Sequence, residues 1–266
     1  MTRLGATPLG DRFTRIALGA AAGLLFLVLG FPVAGLLLGA PPAELARGVR
    51  SPQVVPAVAL SIATTTVSLA MIVGCGTPLA WAIARGRGRA WRAVETIAEL
   101  PAVLPPAVAG VALLLAFGRR GLLGGALAEV GVGLPFTSAA VVLAQAFVAA
   151  PFYLQAAVAA FRRLDPDVVL VARTLGASRS RVFLSVAAPI ARPALMGGAA
   201  LAWARALGEF GATLMFAGNM PGRTQTLPLA IYTALESDLR TAQSLSILLV
   251  AVALALLVGV RAGRRA

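Results

Sequence analysis

Six long apolar runs, each separated from the next by a short polar stretch, organise this sequence. A helix needs about 20 mostly apolar residues to cross the hydrocarbon core of a bilayer. The runs Ile16–Ala40, Val54–Ala84, Pro101–Phe117, Ser138–Ala160, Ala194–Ala217 and Ala242–Val260 reach or approach that length. The second is overlong and has room to begin as late as Leu60. The third is short, and Pro105-Pro106 near its start predicts a distorted beginning. Charge is scarce inside all six, with Arg205 and Glu209 in the fifth as the exceptions. The expectation is an all-α, polytopic membrane protein of about six transmembrane helices, forming one transmembrane domain over residues 1–266.

The polar stretches differ in charge, and that difference predicts orientation, because arginine and lysine accumulate in cytoplasmic loops. Sixteen arginines fall on one face. They are Arg3, Arg12 and Arg15 in the N-terminal segment, Arg85, Arg87, Arg89 and Arg92 after the second run, Arg162, Arg163, Arg173, Arg179, Arg181 and Arg192 after the fourth, and Arg261, Arg264 and Arg265 at the C-terminus. The opposite face holds six: Arg47, Arg50, Arg119, Arg120, Arg223 and Arg240. Both termini are therefore expected in the cytoplasm of a cell (inner) membrane protein. The first run is well beyond the 7–15 apolar residues of a secretory signal, so it reads as a retained helix.

Composition narrows the chemistry. The chain has 266 residues, 59% hydrophobic and 12% charged, against about 25% charged in soluble domains. All 23 basic residues are arginine, and lysine and histidine are absent. The phosphate-binding loop of nucleotide hydrolases requires a lysine, so ATP hydrolysis by that route is excluded. Zinc and haem sites draw on clusters of His, Cys or carboxylate, and none is evident, so no metal or other cofactor is expected. Cys75 is the single cysteine and reads as a small buried residue. The net charge of +13 follows from the positive-inside bias, and no aromatic platform accompanies the arginines, so no nucleic-acid partner is expected.

Between the fourth and fifth runs lies a polar island, Asp165 to Pro193. Asp165-Pro166-Asp167 is a helix start: an acidic cap, proline at the first position and a second acid near the positive dipole end. A helix is predicted over Val168–Leu175, ended by Gly176, which tolerates the left-handed angle of a helix terminus. Ser178 then caps a second helix through Arg179, Arg181, Val182 and Phe183 towards Pro189. An ordinary solvated loop is the alternative reading.

This island resembles the cytoplasmic loop of permease subunits in ATP-binding-cassette importers. Their loop has the form Glu-Ala-Ala, three residues, Gly, nine residues, Ile, one residue, Leu-Pro. It aligns here as Leu170-Val171-Ala172, Gly176, Val186, Ala188 and Pro189, with Leu170 departing from the family's Glu. Gly76-Thr77-Pro78-Leu79-Ala80-Trp81, Leu100-Pro101 through Pro105-Pro106, Phe117-Gly118-Arg119-Arg120-Gly121 and the run Arg205–Asp238 are similar to the molybdate branch of those permeases. Sulfate permeases share Leu207-Gly208-Glu209-Phe210-Gly211 but differ around Met215–Asn219. The similarity covers about Thr64 to Leu257.

The resemblance implies a type I importer permease fold and a non-enzymatic subunit moving molybdate, or alternatively tungstate or sulfate. It implies a coupling loop over 162–192. The residues of ATPase coupling would be Leu170, Val171, Ala172, Arg173, Thr174, Leu175, Gly176, Ala177, Ser178 and Pro189. The implied partners are two ATPase subunits, an extracytoplasmic substrate-binding protein, a second copy of the chain and membrane lipid.

Arg205 and Glu209 are four residues apart, which on one helix places them on a shared face. They read as a structural pair or as pathway and gate residues, with Thr213 a turn further on. Thr64, Thr65 and Thr66 read first as hydroxyls bonded to their own helix. Gly218–Leu239 reads as an external loop with a short helix at Leu227–Leu235. Asn219, Arg223 and Thr224 are its candidate contacts with the binding protein. Two rival classes stand beside this reading. A gradient-driven transporter predicts repeats or paired broken helices, and no convincing repeat is found. An intramembrane enzyme needs a nucleophile and base, which Glu95, Glu99 and Glu209 do not supply.

Overall fold

The computed structural model describes residues 8–39, 41, 51–52 and 54–263. Arg3, Arg47, Arg50, Arg264 and Arg265 from the orientation argument, and Ala40 from the first run, lie outside the described residues. Among the described residues the regular structure is entirely helical. The elements are α1 (Pro8–Leu38), α2 (Val54–Arg85), α3 (Arg89–Val103), α4 (Pro106–Phe117), α5 (Gly124–Glu129), α6 (Ser138–Arg162), α7 (Pro166–Thr174), α8 (Arg179–Val182), a π-helical turn (Phe183–Ala187), α9 (Ala188–Leu207), α10 (Gly211–Ala217), α11 (Leu227–Leu235) and α12 (Leu239–Gly263). Four stretches are long and apolar enough to cross a membrane: Thr14–Leu38, Val54–Arg85, Ser138–Arg162 and Arg179–Leu207. Pro106–Phe117 and Leu239–Ala255 are shorter apolar helices.

Helix α6 is the centre. It starts where the Thr137 side chain accepts the Ala140 N–H, and it buries Val141, Ala144, Val148, Tyr153, Ala157 and Phe161. It packs against α2, α9 and α3 in one hydrophobic cluster and against α4 and α10 in another. Apolar burial gives little net drive between helices in lipid, so van der Waals fit and interhelical hydrogen bonds have to hold them. The sequence meets that need with small residues. At Gly198 of α9 a Cβ would lie 2.7 Å from the Ala156 Cβ, so only glycine allows that approach. Polar ties supplement the packing: Tyr153 Oη and Thr77 Oγ1 are 2.6 Å apart, and Ser68 Oγ donates to Val142 O at 3.0 Å.

Helix α1 is exposed along its apolar length. Its C-terminal end is tied to α12, where Gln243 Nε2 donates to Leu36 O at 2.8 Å. The Asp238 carboxylate opens α12. It is held below its ordinary range chiefly by the Thr241 hydroxyl, then by the Arg240 N–H. A lowered carboxyl stabilises this helix start above the ordinary carboxylate range, and that contribution fades as pH falls through the lowered value.

Two predicted spans are not continuous helices. The third breaks at Leu104-Pro105: Leu104 is extended, with φ −72° and ψ 134°, as a residue before proline prefers. The residues preceding the break, including Arg89 and Arg92, form helix α3, whereas the sequence suggested a loop. The fifth span, expected as Ala194–Ala217, starts earlier at Ala188, stops at Leu207 and resumes at Gly211. The two resumed pieces, α4 and α10, lie side by side, and Gly211 meets Pro106 so closely that a Cβ would sit 2.6 Å from the Pro106 Cβ. Paired broken helices were the expectation for a gradient-driven transporter, and here they occur without a sequence repeat.

Candidate functional site

The polar island projects from the end of the bundle where α2 and α6 finish. The Asp165 side chain accepts the Asp167 N–H at 2.9 Å and Pro166 begins α7, as the sequence predicts. The helix closes with two nested bonds: Gly176 N–H donates to Arg173 O at 3.0 Å and Ala177 N–H donates to Ala172 O at 3.0 Å. This C-terminal motif places Gly176 at φ +84°, where an L side chain is strained. Ser178 Oγ accepts the Arg181 N–H at 3.2 Å and caps α8. Thr174 Oγ1 donates to Val171 O, and Arg173 is exposed.

Helix α7 buries no residue. Leu170, Val171 and Leu175 are 61%, 56% and 83% exposed, an apolar tip flanked by Arg173 and Arg179. Ala172 and Ala177 are half-buried on the inner side. Pro189 lies apart from this tip, in the first turn of α9.

The loop is rooted in a rigid base. Arg162 makes a bidentate ion pair with Glu95 of α3, at 2.8 and 2.7 Å. The pair is half-exposed on the arginine side, so its stabilising effect is about 0.2–1 kcal/mol and its main consequence is geometric. Beside it, Trp81 meets Phe161 edge-on at 5.3 Å and Phe183 at 5.9 Å, with the Arg85 guanidinium 4.7 Å above the Trp81 ring. Glu95, Trp81 and Phe183 are each noted in the sequence for other reasons, but their meeting at this base was not foreseen. The only available signal was the mix of apolar and charged residues from Arg89 to Leu100, which the sequence reading left in the stretch between the second and third runs.

Arg205 and Glu209 do pair, with Nη1 to Oε2 at 2.8 Å, but Glu209 is not on the helix of Arg205. It sits in the break, almost fully buried, and its Oε1 accepts the Ala212 N–H at 2.8 Å. One carboxylate therefore neutralises an arginine and caps the resumed helix α10, where negative charge is favoured at a helix start. Thr213 is not one turn further along a common face. It lies on α10, buried, and its hydroxyl has no hydrogen-bond partner in the structure. Thr64 and Thr65 bond back to their own helix, at Leu60 O and Ser61 O, and Thr65 Oγ1 also accepts Trp203 Nε1–H at 3.0 Å. Thr66 is exposed.

At the opposite end the loop before α11 is knitted by polar side chains. Asn219 Nδ2 donates to Thr233 Oγ1 at 2.9 Å, and its Oδ1 accepts Gln225 Nε2–H at 3.0 Å. Arg223 is exposed, and its carbonyl accepts the Ser138 hydroxyl. Thr224 is fully buried and its Oγ1 accepts the Met220 N–H, so it shapes the loop from within and offers no surface in this chain. Between α6 and α9 an open groove of about 580 Å³, lined by Ala156, Arg163, Ala194 and Gly198 among others, reaches the end that carries the polar island. Among the described residues no group of three His, Cys, Asp or Glu side chains comes together.

Comparisons with known proteins bear on this arrangement. The chain is 41% identical to the "Molybdenum transport system permease protein ModB" of Mycobacterium tuberculosis, over 93% of each chain. It is 35% identical to the Escherichia coli K12 protein of that name, over 76% of this chain and 88% of that one. Its fold matches that of a bacterial ABC transporter that imports alginate, at TM-score 0.78 and 17% identity over 96% of both chains. The MetNI methionine ABC transporter matches at TM-score 0.60 and 18% identity, over 83% of this chain and 94% of that one. The family of binding-protein-dependent transport system inner membrane components matches residues 76–262. That match spans well over half of the sequence, and the chain belongs to the family of binding-protein-dependent transport system inner membrane components.

Proposed function

We propose that this chain is the membrane-spanning, non-enzymatic subunit of an ATP-driven importer for molybdate. It acts as a single transmembrane unit, forms the route through the membrane and takes its force from a separate ATPase. The carrying observation is α7: Leu170, Val171 and Leu175 stand exposed at the end of a lever locked by Asp165, Gly176 and Ser178. Such an apolar tip is costly to leave in water and fits a groove in a partner protein. The excess of arginine on this face supports a cytoplasmic position for the tip and for both termini. An ATPase can shift the bundle between inward- and outward-facing states only if it binds this tip differently in each.

Two copies are inferred from the resemblance, and the open groove between α6 and α9 is a face that a second chain would cover. Two ATPase subunits would then contact the two levers. An external binding protein would meet the opposite end near Asn219 and Arg223, with Thr224 holding that loop in shape. Arg205, Glu209 and Thr213 belong to the break in the fifth span. Because Glu209 neutralises Arg205, we read them as a gate element rather than a tight oxyanion site.

Molybdate is favoured over tungstate and sulfate by the 41% identity to a molybdenum permease along nearly the whole chain. The test is uptake of labelled molybdate, sulfate and tungstate into vesicles holding this chain, its ATPase and binding protein. ATP-dependent accumulation of molybdate ahead of sulfate is expected. Uptake that proceeds without the ATPase would overturn the reading.

A further inference from the structure

The return leg of the polar loop is not an ordinary α-helix. Between Val182 and Ala188 the chain widens into a π-turn, Phe183–Ala187, and the Ala188 N–H donates five residues back to Phe183 O. The flanking residues Val182 and Ala188, and Phe183 at the start of the turn, all keep right-handed helical angles, so this is a widened helix rather than a break. Pro189 supplies a cause. It has no N–H to give, and in a regular α-helix its ring would strike the carbonyl four residues back, at Ser185. A widened turn removes that clash.

Such a turn behaves as one inserted residue, equivalent to about 100° of rotation about the helix axis. If it relaxed to α geometry, the loop would swing by about that angle relative to α9. It also sits where the loop is clamped. Phe183, the first residue of the turn, lies 5.9 Å from Trp81 at the end of α2 and 6.1 Å from Phe161 at the end of α6. At the other end of α9, about 30 Å away by helix geometry, comes the break that Glu209 caps. Helix α9 thus has a non-α joint at each end.

We propose that Phe183 and Pro189 are positioning residues for energy coupling: the widened turn sets the direction of the α7 lever, and the aromatic knot is the pivot that passes its tilt to α9. This rests on the reading of residues 162–192 as the ATPase-contacting loop. It adds that Pro189 acts through backbone geometry and not through contact with the ATPase.

The experiment uses the complete complex in vesicles and reads labelled molybdate transported per ATP hydrolysed, together with ATPase retention on the purified permease. Pro189→Ala removes the cause of the widening and is expected to lower transport per ATP about tenfold, within the range of ordinary inter-site coupling. Phe183→Ala, which removes the pivot ring, is expected to do the same. Deleting Leu184, an exposed residue of the turn, in the Pro189→Ala background returns the lever to its original direction. It is expected to recover most of the lost ratio, a rescue that a merely destabilised helix would not give. An unchanged ratio in Pro189→Ala, or no recovery on deleting Leu184, overturns the proposal. Failure of the underlying reading looks different: ATPase retention would then survive Val171→Asp at the lever tip.

Discussion

Glu209 holds two jobs in one buried carboxylate, and the two are separable. Its Oε2 meets Arg205 and its Oε1 caps α10 through the Ala212 N–H. Glu209→Gln keeps an acceptor for the cap but loses the charge, so we expect a loss of about 1.5–3 kcal/mol, the usual scale for a hydrogen bond to a charged group. Glu209→Ala loses the cap as well, at about 1 kcal/mol more. Thermal unfolding of the purified protein in detergent should rank wild type above Gln and Gln above Ala. Equal melting of the two variants would remove the capping role. The i,i+4 spacing made the pair itself legible, and that part stands. The spacing did not reveal that Gly208 and Phe210 leave the helix, because a short polar break in an apolar run looks the same as a functional pair within a helix. Thr213 was misplaced for that reason.

Helix α7 was legible almost to the residue, because its boundaries are written in local chemistry: an Asp-Pro start, a glycine stop and a serine restart. Local bonds of a few residues' span decide such features, so no distant contact can overrule them cheaply. Gly176→Ala tests how much the lever's closure matters. A Cβ there would meet nothing within 4 Å, so the cost is the left-handed backbone alone, about 1–2 kcal/mol. We expect unaltered bundle melting and an ATPase affinity weaker by about 5–30-fold. Unchanged affinity would mean that the loop closes only when the ATPase arrives. By contrast, α3 was read as a loop. Its half-apolar composition commits to a helix only when Glu95 finds Arg162 and Trp91 packs into the base of the bundle. The π-turn was invisible for a related reason: Pro189 disfavours a regular turn, but Pro78 and Pro151 lie inside α-helices of this same chain, so a proline alone does not announce one.

The arrangement of the full chain makes a further expectation checkable. The Asp165–Pro193 island and the loop around Arg223 lie at opposite ends of the bundle, joined through α2, α6 and α9. In a Cys75→Ser background, Ser180→Cys should resist a membrane-impermeant thiol reagent in intact cells, and Arg223→Cys should react. Labelling in the reverse order would invert the topology and remove the ATPase from reach of α7. Hydropathy was enough to specify a helical membrane protein and its approximate spans, because transfer of apolar and charged groups between water and lipid depends on local composition. Arginine placement adds an expected sidedness that the labelling checks. The sequence was also enough for the lever, whose caps are local. Which helix occupies the centre, where two spans break and abut, and how Glu209 and Phe183 are used depended on packing between segments distant in sequence. In lipid that packing is a matter of shape and close approach, as at Gly198 and Gly211, and shape complementarity leaves no periodic trace along a single chain.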